Sequence, residues 1–258
     1  VSYRTTLTHV LSTVIAPGAA RTGAEGRFPR GAVTELGRAG LLGLTVSAES
    51  GGGGRGLPEA AEVVAEVARV CPATAAVLRS HYAAVAVVEA YGSPWLRREI
   101  AAGRHLSSLA LAEVGDEQPT ARGESRSGGP TAVRTGEVVA LRAHKRRVVA
   151  AGEADSYVWS SLPLAAPDGL TLWTVPAHAP DLFVPARPGG PGPRGSATST
   201  VCADPVLVPA DAMLGPDGGG LDIVVRTVTP WLLELRTAAD DHAVADTRTP
   251  AVGTLAPS

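Results

Sequence analysis

Aromatic residues are scarce in this chain: 4 Trp, 4 Tyr and 2 Phe among 258 residues. The chain is nevertheless 45% hydrophobic, so its core must be built from Ala, Val and Leu. Cysteine is rarer still. Cys71 and Cys202 stand far apart and in no metal-ligand spacing. That argues against a disulfide framework and any metal site, and reads as two buried free thiols. Long apolar runs are missing, as is a charged-then-apolar leader; the expectation is a soluble cytoplasmic protein with no membrane partner. Basic runs are missing too. The longest is His144-Lys145-Arg146-Arg147, and the net charge is −2. Nothing here would neutralise a phosphate backbone, so nucleic acid is not an expected partner.

What is present divides by hydrophobic period. Up to about residue 105 the period is helical. Leu7, Val10, Leu11 and Val14 share one helical face, which Pro17-Gly18 is expected to end. Pro29, Pro58, Pro72 and Pro94 each mark a helix start. Glu49-Ser50-Gly51-Gly52-Gly53-Gly54 is a flexible turn without room for side chains. From Leu106 the apolar stretches become short and β-rich: Ser107 to Glu113, Val138 to Leu141, Arg147 to Ala150, Ser156 to Ser161, Leu170 to Val175 and Val201 to Val208. Gly and Pro clusters separate them, as expected of short antiparallel strands. Asp116 to Pro130 and Pro185 to Gly195 read as mobile loops. After Gly218-Gly219-Gly220 the helical period returns, from Leu221 to about Thr247, interrupted at Pro230. The expected fold is therefore α+β: helices over 1–105, an antiparallel β-domain over 106–216, and one helix plus a tail over 217–258.

Several of these segments resemble one family. Phe28-Pro29, Glu35-Leu36-Gly37 and Gly40-Leu41-Leu42-Gly43-Leu44 look like the opening of acyl-CoA dehydrogenases. Glu49 to Gly54 resembles their Glu-x-x-Gly-Gly-x-Gly step. Tyr91-Gly92-Ser93 and Ala102-Gly103 resemble the helix ends before their β-domain. Leu109 to Glu113 is similar to their flavin-side Thr-Glu-Pro strand. Gly136, Lys145 and Ala154-Asp155 match a Gly-x-Lys … Ala-Asp hairpin. Arg194-Gly195-Ser196 and Asp204 to Pro209 match the segment that closes the β-domain, with Leu214-Gly215 after it. The resemblance implies a helical domain followed by a β-domain. Family members add a C-terminal four-helix domain. Only its first helix has a counterpart here, so a truncated member is expected.

Family chemistry takes a proton from the acyl α-carbon and a hydride from the β-carbon, using a carboxylate base and FAD. By the resemblance, the flavin-side Thr falls at Ala112, the ring-packing aromatic at Arg147 and the N5-side hydroxyl at Val149. Gly115 to Pro119 has no Gly-Ser-Asp turn. One family variant carries its base as a Glu just before an Arg in the helix after the Gly-rich turn. By the resemblance those two positions fall at Trp231 and Leu232, with Glu234 the nearest acid, while the more common base location lies in the C-terminal domain. The cofactor expectation is therefore none, with FAD only if the chain is an orthodox dehydrogenase. His81 and Glu113 are the candidate catalytic groups, and Ala112, Arg147, Val149 and Arg126 the candidate ligand-binding ones. Arg122, Glu124 and Ser127 share the loop of Arg126. Each has a plainer alternative: a core histidine, a structural glutamate, a solvated loop. Asp240-Asp241-His242 reads as a charged helix face. Three functions stay open. One is a redox-neutral enzyme (cyclisation, isomerisation or elimination) on a hydrophobic or acyl small molecule in specialised metabolism. Another is a degenerate subunit paired with a full-length homologue. The third is an orthodox FAD dehydrogenase. A homodimer or heteromer is expected, because Leu232, Leu233 and Leu235 give the last helix an apolar side that needs a cover.

Overall fold

The computed structural model describes residues 2–112, 131–185 and 192–247, without the side chains of 241–247. The order is α1 (Tyr3–Val10), α2 (Ala16–Glu25), α3 (Arg30–Arg38), α4 (Leu57–Val70), α5 (Pro72–Tyr91) and α6 (Pro94–Ala101), then the strands. These are β1 (Ser107–Ala110), β2 (Thr131–Thr135), β3 (Val138–Val148), β4 (Ser156–Ser161), β5 (Thr171–Pro176), β6 (Leu182–Phe183), β7 (Ser199–Pro209) and β8 (Met213–Leu214). The helices α7 (Gly220–Ile223) and α8 (Thr229–Thr247) follow. The α+β architecture is as the sequence implies.

The prolines do as expected at α4, α5 and α6, where Pro58, Pro72 and Pro94 occupy the first helical turn and forgo an N–H that has no partner there. Pro17 and Pro230 do not break their helices. A π-turn at Leu11–Ile15 precedes Pro17, and another at Val224–Val228 precedes Pro230. In each case the residue just before the proline bonds five residues back, Ala16 to Leu11 and Thr229 to Val224. The widened turn opens a new first turn in which a proline fits, and the chain stays helical.

The strands form two four-stranded sheets, in the orders β1-β4-β5-β8 and β2-β3-β7-β6. Two expectations need correction. The sheet is not wholly antiparallel: β1 lies parallel to β4, which the long crossover between them permits. The stretches 138–141 and 147–150 are not separate strands. Val138–Val148 is one strand, irregular against β7 between Leu141 and Ala143 and again between Lys145 and Val148.

The core matches the composition. Val, Leu and Ala of α4 and α5 are buried beside Tyr82, Tyr157, Trp159 and Trp173. Cys71 and Cys202 are both buried and free. The motif glycines explain themselves sterically. A Cβ on Gly37 would stand 2.3 Å from the carbonyl oxygen of Gly103, and one on Gly52 would stand 2.3 Å from that of Val46. Backbones meet there at distances no side chain tolerates.

One carboxylate fastens the far edge. Asp217 accepts the Thr171 hydroxyl at 2.6 Å and the N–H groups of Leu164, Ala165 and Ala166 at 2.8, 2.8 and 2.9 Å. Burial works to raise its pKa, but these four donors outweigh that and hold it at about 2. The unfolded chain protonates near 3.8 and the folded one near 2. The contribution is thus complete above about pH 4 and lost as the pH falls through 2. Asp217→Asn should lower stability at neutral pH by about 1–3 kcal/mol and flatten the acid limb between those values. Urea titrations at pH 7 and pH 3 check this; a variant with an unchanged acid limb contradicts it.

Candidate functional site

The candidate site is a cleft of about 530 Å³ where α5, α8 and the ends of β1 and β3 meet. Its α5 wall is Ala76, Arg79 and Ser80, and its α8 wall is Thr229, Leu232, Leu233 and Arg236. Both follow the i, i+3, i+4 spacing of one helix face. The strand side brings Leu109, Leu111, Ala112, Arg146, Arg147 and Val149, with Gly192, Pro193 and Thr198 closing the rim. Three of the expected ligand-binding positions, Ala112, Arg147 and Val149, therefore face one space. Arg126 and Glu113 lie outside the described residues, with Arg122, Glu124 and Ser127.

Arg147 reaches the cleft by a backbone device. It sits at the irregularity between Lys145 and Val148 with φ of 57°, a left-handed conformation uncommon for a residue with a side chain. A bulge re-aims a side chain that regular alternation would send elsewhere. Arg79 is half-buried, and burial pushes its pKa down, with Asp240 acting against and Arg236 with that shift. Arg236 pairs with Asp240 at 3.9 Å. Four guanidinium groups thus line a floor of Leu, Ala and Val, and the described lining holds no carboxylate. Sequence reading missed Arg79 and Arg236. The signal was the helical spacing that puts Arg79 beside Ala76 and Ser80, and Arg236 beside Leu232 and Leu233.

His81 does not join them. It is 0% exposed, and burial pushes its pKa down to about 4. Its Nδ1 accepts the Ser107 N–H at 3.1 Å, and its Nε2 donates to the Leu42 carbonyl at 3.0 Å. One neutral tautomer satisfies both bonds. Neighbouring residues on a helix point about 100° apart, so Ser80 faces the cleft while His81 turns into the core. His81 ties α5 to β1 and to the loop after α3, and its burial disfavours the protonated form.

Other residues weighed from the sequence also settle. Lys145 is fully buried, donates to Ser160 Oγ at 2.8 Å and stands 5.2 Å from the Trp159 ring centre. Burial pushes its pKa below the usual lysine value. Asp155 accepts the Leu106 N–H at 2.7 Å, which gives the Ala-Asp motif a structural task. Glu234 is exposed on α8 and does not line the cleft. Among the described residues no His, Cys, Asp and Glu gather as a metal site.

A helical layer laid against two sheets, with a cleft at the sheet edge, is the fold of acyl-CoA dehydrogenases. Residues 2–103 match the model of the acyl-CoA dehydrogenase N-terminal domain. An acyl-CoA dehydrogenase of Bacillus subtilis is 26% identical over 246 residues, covering 89% of this chain and 63% of that protein. Butyryl-CoA dehydrogenase from Megasphaera elsdenii superposes with a TM-score of 0.79 at 19% identity, covering 98% of this chain and 70% of that one. FkbI, a protein for biosynthesis of the methoxymalonyl extender unit of a polyketide immunosuppressant, superposes with a TM-score of 0.76 at 25% identity, covering 97% and 70%. The family model and the curated homologues support membership of the acyl-CoA dehydrogenase family. It spans less than two thirds of the length of the curated relatives it matches, 63%, 57% and 52% for three of them.

The cleft's side chains do not fit a flavin in the way the resemblance describes. Ala112 and Val149 offer no side-chain hydrogen bond where Thr and a hydroxyl would stand. Arg147 puts a cation where an aromatic ring would pack.

Proposed function

We propose that the arginine-lined cleft binds a small molecule with an apolar body and an anionic end, and that the chain acts on it without redox chemistry. The observation that carries this reading is the convergence of Ala112, Val149 and Arg147 with Arg79 and Arg236 on one cleft. The apolar floor suits an acyl or other hydrophobic group. Guanidinium groups suit a carboxylate, phosphate or phosphate-bearing thioester, and can hold negative charge as it develops on a carbonyl or leaving group. Cyclisation, isomerisation or elimination are reactions in which such stabilisation lowers the barrier. The likeness to FkbI supports a setting in specialised metabolism.

The purified protein should be colourless and should not quench FAD or FMN fluorescence on titration. A stoichiometric flavin spectrum would overturn the redox-neutral reading in favour of an orthodox dehydrogenase. A second reading, a subunit within a homodimer or heteromer, is favoured by the exposure of Leu221 (53%), Val225 (58%) and Leu233 (55%) along the C-terminal helices. Light scattering on the same sample tests it, and a monomer mass for the chain alone rules out the homodimer.

A further inference from the structure

The molecule carries another cleft whose charge is the reverse of the first. It lies where α6 meets β4, β5 and β8, and has a volume of about 380 Å³. Tyr91 and Trp95 form its aromatic side and are 43% and 60% exposed. The indole of Trp95 stands edge-on to His105, with ring centres 6.3 Å apart and planes at 83°. His105 Nε2 lies 2.7 Å from Ser156 Oγ, which fixes the imidazole at the cleft wall. Asp155 and Asp211 supply two carboxylates, and no lysine or arginine is among the described lining residues. One oxygen of Asp155 is held by the Leu106 N–H, so its charge is anchored in place. Burial pushes the His105 pKa down against the pull of Asp155 and Glu99, with His178 adding slightly to the fall.

We propose that this cleft is a second ligand site and takes a small organic cation, an amine or quaternary ammonium on an aromatic or apolar body. Exposed aromatic faces attract a cation through their ring quadrupole, and flanking carboxylates, with no lysine or arginine in the described lining, add to that attraction. The same electrostatics repel the anionic molecules that suit the first cleft, so the two sites select opposite ligands.

The test titrates the folded chain with benzyltrimethylammonium, follows Trp fluorescence, and repeats the titration with benzyl alcohol as a neutral probe. Saturable binding of the cation is expected, at least about fivefold tighter than the alcohol. Trp95→Leu and Asp211→Asn change exposed side chains and should each weaken it by about three- to tenfold, while decyl phosphate should not compete. Chemical shifts of the His105 ring give a readout that does not rely on Trp fluorescence. Equal binding of alcohol and cation would overturn the proposal, as would no saturable binding, or two variants that bind as the parent does.

Discussion

Replacing Arg147 by Gln should weaken binding of decyl phosphate by about 10- to 100-fold and leave the weaker binding of decanol unchanged. A hydrogen bond to a charged group contributes about 1.5–3 kcal/mol, and about 1.4 kcal/mol is a tenfold change in affinity. Arg147 is exposed and lines the cleft from a bulge, so the substitution removes a charge without opening a core cavity. Arg147→Lys should recover only part of the loss, because an ammonium cannot form the two-pronged contact that a guanidinium makes with phosphate. Isothermal titration of the parent and both variants with each of the two ligands separates the outcomes. If decanol binding falls as far as decyl phosphate binding, the effect is apolar and the assignment of Arg147 as the anion contact fails.

His81→Ala should destabilise the fold by about 3–5 kcal/mol, since it leaves a cavity and strips partners from Leu42 O and Ser107 N. The parent protein should also show a pH signature that the variant lacks. The unfolded chain takes up a proton on this histidine near 6.5, the folded chain only near 4. Folding therefore excludes a proton between those values. Stability should be full above about pH 6.5 and fall by about 3 kcal/mol as the pH drops through that window. Denaturant midpoints of both proteins at pH 7.5, 5.5 and 4.5 would show it. A variant as stable as the parent would remove His81 from its structural role and reopen the catalytic one.

Arg79 and His81 show why part of the site escaped a sequence reading. Both lie two residues or fewer from Ser80 on the same helix, and both are polar in an apolar stretch. Periodicity says that they face different directions, yet not which direction meets the cleft. That depends on β1, whose Ser107 engages His81 from 26 residues away. Ala112, Arg147 and Val149 were legible as a group because the family resemblance aligned them, although their shared space is made by segments far apart in the chain.

Local chemistry was enough to place the helices and most strands. Pro58, Pro72 and Pro94 set helix starts through a fixed φ and a missing N–H, and β4 falls on Ser156–Ser161 as the pattern predicts. Those are matters of a few neighbouring dihedral angles. Tertiary structure alone decided that Pro17 and Pro230 follow π-turns inside continuing helices. It also decided that β3 runs unbroken through the left-handed Arg147, because pairing with β7 on either side of the bulge repays the local strain. The direction of His81, the parallel pairing of β1 with β4 and the opposite charges of the two clefts likewise come from long-range packing, which a local pattern does not encode.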